Sequence, residues 1–277
     1  MIVEPAPAKI NLALHVRRRR PDGYHDLETL FVFAADGDTV TVVPDATDRF
    51  AITGPFAAAL AGAPEADNLV IRAAHAFRAA FDIAQPHAIT LDKHLPIASG
   101  IGGGSADAAA TLRALAGLHG IAPDDPRLFV NAEALGADVP ACLLGRATLG
   151  TGKGEALLPV DGLAGMPLLL VNPGVAVSTA AVFGRWDGVD RGGIAADGDL
   201  LARALAGRND LQAPAVAIAP AIAAVLALLD AAAGVRLARM SGSGATCFAL
   251  FDSVEARDTA AKHASSRGWW TLATILT

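Results

Sequence analysis

Leu95-Pro96-Ile97-Ala98-Ser99-Gly100-Ile101-Gly102-Gly103-Gly104-Ser105 is a glycine-rich loop, and it runs straight into Ala106-Asp107-Ala108-Ala109-Ala110-Thr111-Leu112. Glycines at 100, 102, 103 and 104 leave the main chain open to a ligand and permit the positive φ angles that turn successive N–H groups toward one point. The alanines and leucines that follow favour a helix, whose unpaired N–H groups and positive dipole end face the same point. A phosphate suits such a place. The loop is not a P-loop, because no Lys-Ser or Lys-Thr follows the last glycine, and it is not G-x-G-x-x-G, because Ser105 follows Gly104. A plain surface turn ahead of a helix uses glycine in the same way, so the loop alone leaves both readings open.

A length of 277 residues exceeds what one core usually holds, and two domains are expected, 1–159 and 160–277. The chain is 53% hydrophobic, largely through alanine, with 5% aromatic and 18% charged residues, which describes a soluble globular protein. Its net charge of −6 argues against a broad nucleic-acid surface, so an anionic ligand must be met locally. The run Arg17-Arg18-Arg19-Arg20 is the exception and reads as a solvated face beside a turn. Cys142 and Cys247 sit among apolar neighbours and read as buried thiols rather than a disulfide framework or metal site. No secretory pattern opens the sequence, and the longest apolar run, 213–229, is interrupted by Pro214 and Pro220. A cytoplasmic protein without a membrane partner is expected.

Residues 9–16 alternate, with Ile10, Leu12, Leu14 and Val16 on one side of a half-buried strand. A turn at Pro21-Asp22-Gly23 and further strands at 27–33, 39–43 and 50–53 predict a mostly antiparallel sheet. Asn68 caps a helix with Val70, Ala74, Phe77 and Phe81 on one face, and a strand at 88–91 leads into the glycine loop. A helix over 126–135 turns Leu128, Ala132 and Leu135 inward and stops at Gly136-Ala137-Asp138-Val139-Pro140. The composition shifts at Gly150-Thr151-Gly152-Lys153-Gly154, before a strand at 167–171. Ser178 caps a short helix to Trp186, 187–198 is an exposed loop, and helices follow at 199–206, 210–219 and 220–233. A hairpin around Ser241-Gly242-Ser243-Gly244, a helix from Ser253 and a strand at 270–276 close the chain.

Three further places can carry chemistry. Lys9 and Asn11 share one strand face behind Pro5 and Pro7, although a lysine there is usually a solvated strand end. Asp138 lies between Gly136 and Pro140, where a carboxylate most often caps a turn. The turn at 241–244 is a plain hairpin or a second set of donors for a phosphate chain.

Taken in order, Pro5-Ala6-Pro7-Ala8-Lys9-Ile10-Asn11-Leu12, the loop at 95–105 and Ser241-Gly242-Ser243-Gly244 resemble the three motifs of the GHMP kinase superfamily. Asp22-Gly23-Tyr24-His25-Asp26-Leu27, Gly136-Ala137-Asp138-Val139-Pro140 and Arg208-Asn209-Asp210-Leu211 are similar to its branch acting on a cytidylyl polyol diphosphate in the non-mevalonate isoprenoid route. That resemblance implies an α+β, two-domain GHMP kinase fold. It has an N-terminal mixed sheet with helices, a C-terminal ferredoxin-like α/β sandwich and an active-site cleft between them. It implies ATP as phosphoryl donor to the 2-hydroxyl of the methylerythritol moiety, with Asp138 as base and Lys9 beside it as an orienting, stabilising cation. Pro96, Ser99, Gly100, Ile101, Gly102, Gly103, Gly104, Ser105 and Ala106, with Ser241, Gly242 and Ser243, would hold the triphosphate. Tyr24 and Phe183 would take the two faces of cytosine and His25 its polar edge, with Asn11, Asp26 and Thr179 in the substrate site. The arginine run becomes a rim near the diphosphate. Mg²⁺ follows from ATP chemistry; Ser105 and Asp107 are the nearest candidates to arrange it, and its ligands are left unassigned. Another small-alcohol GHMP kinase, for homoserine or mevalonate, or a catalytically silent nucleotide-binding protein on the same fold, is the alternative.

Overall fold

The computed structural model describes residues 1–62 and 64–277. Two long strands come first, β1 (Ile2–Arg19) and β2 (His25–Pro44). The chain divides into two compact units, Met1–Ala8 with Asp36–Ile97 and Gly102–Gly145, and Lys9–Ala35 with Ala98–Ile101 and Arg146–Thr277. A division at 159/160 follows the order of the motifs, whereas the units interleave, because each long strand runs through both. The sequence predicts a break between residues 33 and 39, yet β2 is continuous there. Gly37 serves close backbone approach rather than a turn: a Cβ on it would lie 2.1 Å from the Ala6 carbonyl oxygen.

In the first unit, β3 (Arg49–Thr53) pairs in parallel with β4 (His87–Asp92), which pairs antiparallel with residues 39–44 of β2. The parallel pair departs from the antiparallel expectation because a helix, α1 (Leu69–Phe81), forms the crossover between β3 and β4. Asn68 caps α1 as its sequence predicts, its Oδ1 accepting from the Val70 N–H at 2.9 Å. Three more helices complete the unit: α2 (Gly103–His119), α3 (Pro126–Leu135) and α4 (Val139–Leu144). α2 packs against the other three, and residues 106–112 and 114–116 are buried almost all round it. Its alanines are what that position demands, since small side chains let three neighbours approach one axis. Arg113 ties α2 to its surroundings, donating to the Cys142 carbonyl at 2.9 Å and the Pro5 carbonyl at 2.7 Å. α4 has only six residues, too few for periodicity to announce it.

In the second unit, residues 29–31 of β2 pair with β5 (Thr148–Thr151), and β5 with β6 (Ala156–Pro159), both antiparallel. These four-residue strands flank the glycine-rich stretch at 150–154, which by sequence reads only as a shift in composition. After β7 (Pro167–Asn172) come α5 (Thr179–Gly184), α6 (Leu200–Ala206), α7 (Gln212–Ile218) and α8 (Ala221–Asp230). Then follow β8 (Val235–Met240), β9 (Cys247–Phe251), α9 (Val254–Ser265) and β10 (Trp270–Ile275). The strands form an antiparallel sheet in the order β10–β7–β9–β8, the ferredoxin-like arrangement. Leu169, Val171 and Phe251 of the sheet bury against Leu211, Ile222, Val225 and Leu229, with Leu14 and Val16 of β1 in the same core. Burial of each such side chain contributes about 1.5–3 kcal/mol. Cys142 and Cys247 are buried free thiols. Among the described residues no helix is long and apolar enough to cross a membrane.

Candidate active site

In the second unit, β1 brings Lys9 and Asn11 against the middle of the glycine loop. Lys9 is 3% exposed, its main-chain N–H donates to the Ile101 carbonyl at 2.9 Å, and its Nζ donates to Asn11 Oδ1 at 2.9 Å. The Phe31 ring centroid lies 5.4 Å from the same ammonium. Asn11 donates through Nδ2 to Thr29 Oγ1 at 2.7 Å, and that hydroxyl donates to the Ala13 carbonyl at 2.8 Å. Each end of the Asn11 amide thus has a protein partner, and its oxygen orients the Lys9 ammonium.

The turn at 241–244 meets the loop through its backbone. Ser241 Oγ donates to the Gly100 carbonyl at 3.0 Å and accepts from the Asn11 N–H at 3.2 Å, while the Thr246 N–H donates to the Ser99 carbonyl at 3.0 Å. A Cβ on Gly100, whose φ is +77°, would lie 2.5 Å from the Ser241 carbonyl oxygen. Asn209, which the sequence marks only as part of the Arg208-Asn209-Asp210-Leu211 motif and without a role, holds this turn from behind: its Nδ2 donates to the Met240 and Gly242 carbonyls at 2.7 and 2.8 Å. Arg239 is a second unforeseen strut, reaching the Leu12, Ala204 and Gly207 carbonyls at 2.5, 2.9 and 2.7 Å, and burial lowers its pKa to about 10.

In the first unit, Gly102 caps α2 in the left-handed region, and the Ala106 N–H makes the first helical bond, to the Gly102 carbonyl at 2.8 Å. Ala106 thus has its donor committed, and the N–H groups of Gly103, Gly104 and Ser105 are those with no partner inside the helix. Those three residues are half-buried or exposed, as an anion site requires. Asp138 caps α4, its main-chain carbonyl accepting from the Cys142 N–H at 3.1 Å. Asp107, named with Ser105 as a nearest candidate to arrange Mg²⁺, is turned to a buried lysine through one oxygen. It is 3% exposed and takes the Lys93 ammonium at 2.6 Å, and the same ammonium reaches Asp38 at 2.5 Å. Burial raises the Asp107 carboxyl against the pull of Lys93. This buried triad has no signal in the sequence beyond a lysine directly after a strand. Among the described residues no group of three or more His, Cys, Asp or Glu side chains is set to hold a metal ion.

The residues expected around cytosine lie in the second unit. The His25 ring sits on Phe183 with centroids 4.9 Å apart and meets Trp186 edge-on at 5.7 Å. Burial and Arg19 lower the His25 pKa, and its Nε2 is buried without a partner among the described residues. Tyr24 is 55% exposed, with Lys153 Nζ 5.0 Å from its ring centroid. Lys153 escapes a sequence reading because its glycine-rich surroundings look like a linker. Thr179 and Ser243 share a hydroxyl hydrogen bond at 2.9 Å. The arginine run carries its own counter-charges. Arg17 pairs with Glu28 and Asp190, Arg18 with Asp26, and Arg20 with Asp22 and Asp26, while Arg19 donates to the Trp186 carbonyl at 2.8 Å. Asp26, expected at the substrate, is held by two of these arginines, which lower its pKa. The loop at 187–198 is largely exposed but pinned, with the Ile194 N–H donating to Glu28 at 2.8 Å and the Gly192 carbonyl accepting from Arg208 at 2.8 Å.

Residues 68–146 match the family described as GHMP kinases N terminal domain, and residues 193–268 match GHMP kinases C terminal. The chain belongs to the GHMP kinases. The 4-diphosphocytidyl-2-C-methyl-D-erythritol kinase of Rhizorhabdus wittichii is 57% identical over 277 residues, spanning 99% of this chain and 94% of its own. Its namesake from Methylorubrum extorquens is 50% identical, spanning 96% and 95%. A crystal structure of 4-(cytidine 5'-diphospho)-2C-methyl-D-erythritol kinase superposes with a TM-score of 0.84 at 34% identity, over 99% of both chains. The homoserine kinase of Cytophaga hutchinsonii, at 18% identity and a TM-score of 0.69 over 99% of this chain and 93% of its own, shares the fold.

Proposed function

We propose that this GHMP kinase transfers the γ-phosphoryl group of ATP to the 2-hydroxyl of 4-diphosphocytidyl-2-C-methyl-D-erythritol. The observation that carries this reading is near-full-length identity of 57% to a kinase of that name. The N–H groups of Gly103, Gly104 and Ser105 and the dipole of α2 suit the triphosphate, a fit that the open helix start supports. ATP brings the transferable group, with Mg²⁺ accompanying its phosphates. Asp138 accepts the hydroxyl proton late in transfer, since phosphoryl transfer asks more of positioning and charge neutralisation than of base strength. Lys9, oriented by Asn11, supplies positive charge to the oxygens at the reacting centre. The aromatic group Tyr24, Phe183 and His25 binds cytosine, with Lys153 beside it as an additional cation.

ADP release measured with the cytidylyl substrate, mevalonate and homoserine tests the assignment. Turnover is expected with the first alone, and turnover with either of the others but not with it would overturn the reading. Asp138→Ala is expected to abolish turnover while leaving ATP binding intact. Tyr24→Ala is expected to raise KM for the cytidylyl substrate with little effect on KM for ATP. Intact turnover in both variants would remove these residues from the site.

A further inference from the structure

We propose that Lys93, gripped between Asp38 and Asp107, is a positioning residue that clamps both ends of the glycine-rich loop and so fixes the start of α2 for an anionic ligand. The proposal rests on the reading that this helix start receives the nucleotide phosphates. All three side chains are at most 4% exposed. They come from three places in the first unit: Asp38 from β2, Lys93 from the residue after β4, and Asp107 from the second turn of α2. Asp38 turns one oxygen to the Lys93 ammonium at 2.5 Å, and the other accepts the main-chain N–H groups of His94 at 2.6 Å and Leu95 at 2.8 Å. The segment entering the loop is thereby fixed. The same ammonium donates to Asp107 at 2.6 Å, fixing the segment leaving it.

Lys93 also lies directly beneath the first helical residue, since a Cβ on Gly103 would come 3.1 Å from its Nζ. Between the two anchored ends the backbone is strained at Ala98, whose φ of 50° is unusual for a residue with a side chain. Such conformations persist only where the surroundings over-determine them. A buried ionic group adds little net stability compared with apolar residues of the same volume, so its use here is registration through directed bonds.

Steady-state kinetics on the full-length chain test the clamp, together with amide hydrogen exchange at 102–106 with and without a non-hydrolysable ATP analogue. Asp107→Ala is expected to raise KM for ATP at least tenfold, with kcat and KM for the cytidylyl substrate within threefold of the parent. Asp107→Asn, whose amide oxygen still accepts from Nζ, is expected to regain most of that loss. A folded Asp107→Ala with an unchanged KM for ATP, or with both KM values raised equally, would overturn the proposal. If that variant does not fold, the triple variant Asp38→Asn, Lys93→Met, Asp107→Leu removes the whole ionic group while the asparagine oxygen can still accept from His94 and Leu95, and an unchanged KM for ATP in it overturns the clamp equally. If the analogue fails to slow exchange at 103–105 in the parent, the phosphate reading falls and the clamp with it. If exchange slows in the parent and identically in Asp107→Ala, the phosphate reading stands and the clamp alone is refuted.

Discussion

Gly100→Ala should separate the steric need for glycine from the conformational one. A Cβ at this position would lie 2.5 Å from the Ser241 carbonyl oxygen and 2.8 Å from both N and O of Gly244. Carbon contacts settle at about 3.5 Å or more, so loop and turn must part by about 1 Å. The turn resists, because Asn209 holds the carbonyls on either side of Ser241 and Ser241 itself donates to Gly100. An alanine in the left-handed region costs about 1–2 kcal/mol. The stiffer unfolded chain offsets about 0.4–1 kcal/mol of that. Overpacking adds about 1–3 kcal/mol, so the net loss is about 2–4 kcal/mol. Gly23→Ala is the control: its φ is +85°, yet nothing lies within 4 Å of the added carbon, so only the conformational part, about 1 kcal/mol or less, applies. Urea unfolding of both variants followed by tryptophan fluorescence gives the difference. If Gly100→Ala is no more destabilised than Gly23→Ala, the backbone contact between loop and turn does not exist as described.

Lys93→Met should cost about 3–5 kcal/mol of stability, read by the same unfolding assay, because it leaves two buried carboxylates without their cation. Stability should fall as pH drops from 7.5 to 5.5. Burial lowers the pKa values of His15, His25 and His87, so the unfolded chain binds protons first, below the ordinary histidine value of about 6.5. The urea midpoint at each pH checks this in Asp107→Asn, which removes the buried carboxyl whose raised pKa opposes the histidines over the same range; a flat profile there would show that these histidines titrate normally in the fold. Neither thiol should react with a disulfide reagent in the native protein and both should react in denaturant, since Cys142 and Cys247 are buried and burial pushes the Cys247 thiol upward.

The parts legible in the sequence are those where one local rule dominates. Asn68, Ser178 and Ser253 cap their helices through the side-chain oxygen, because capping needs only a short polar residue ahead of a helix-forming run. The inward residues Leu128, Ala132 and Leu135 of α3 follow directly from helical spacing. Where a contact between distant segments decides, local pattern misleads. Gly37 looks like a break in a strand and is a point of backbone approach to Ala6. The four arginines look like one basic face and instead find carboxylates or carbonyls at 22, 26, 28, 184, 186 and 190, positions no spacing rule connects to them. Lys93, Asp38 and Asp107 are separated by 55 and 14 residues and form one group only because a sheet and a helix bring them together.

The glycine-rich loop shows why dense glycine is ambiguous before a structure exists. An anion site and a tight backbone crossing both require the absence of a Cβ, and this loop has both demands within five residues. Gly100 is spent on the Ser241 turn, and Gly103 lies over the Lys93 ammonium, so that neither is free to become alanine even without a ligand. Gly102 takes the left-handed cap of α2, and Gly104, whose nearest neighbour to an added Cβ is Leu69 at 3.5 Å, is the one whose lost side chain packing does not require. A substitution at Gly104 therefore isolates the ligand's demand from the fold's. Gly104→Ala, helical in conformation and sterically permitted, should keep or slightly raise stability through its helix propensity, by about 1 kcal/mol at most. It should weaken ATP if the phosphates come close to the first turn of α2. A variant as stable as the parent and with the same KM for ATP would show that nothing approaches that turn closely, and would remove the phosphate reading from the residue that states it most cleanly.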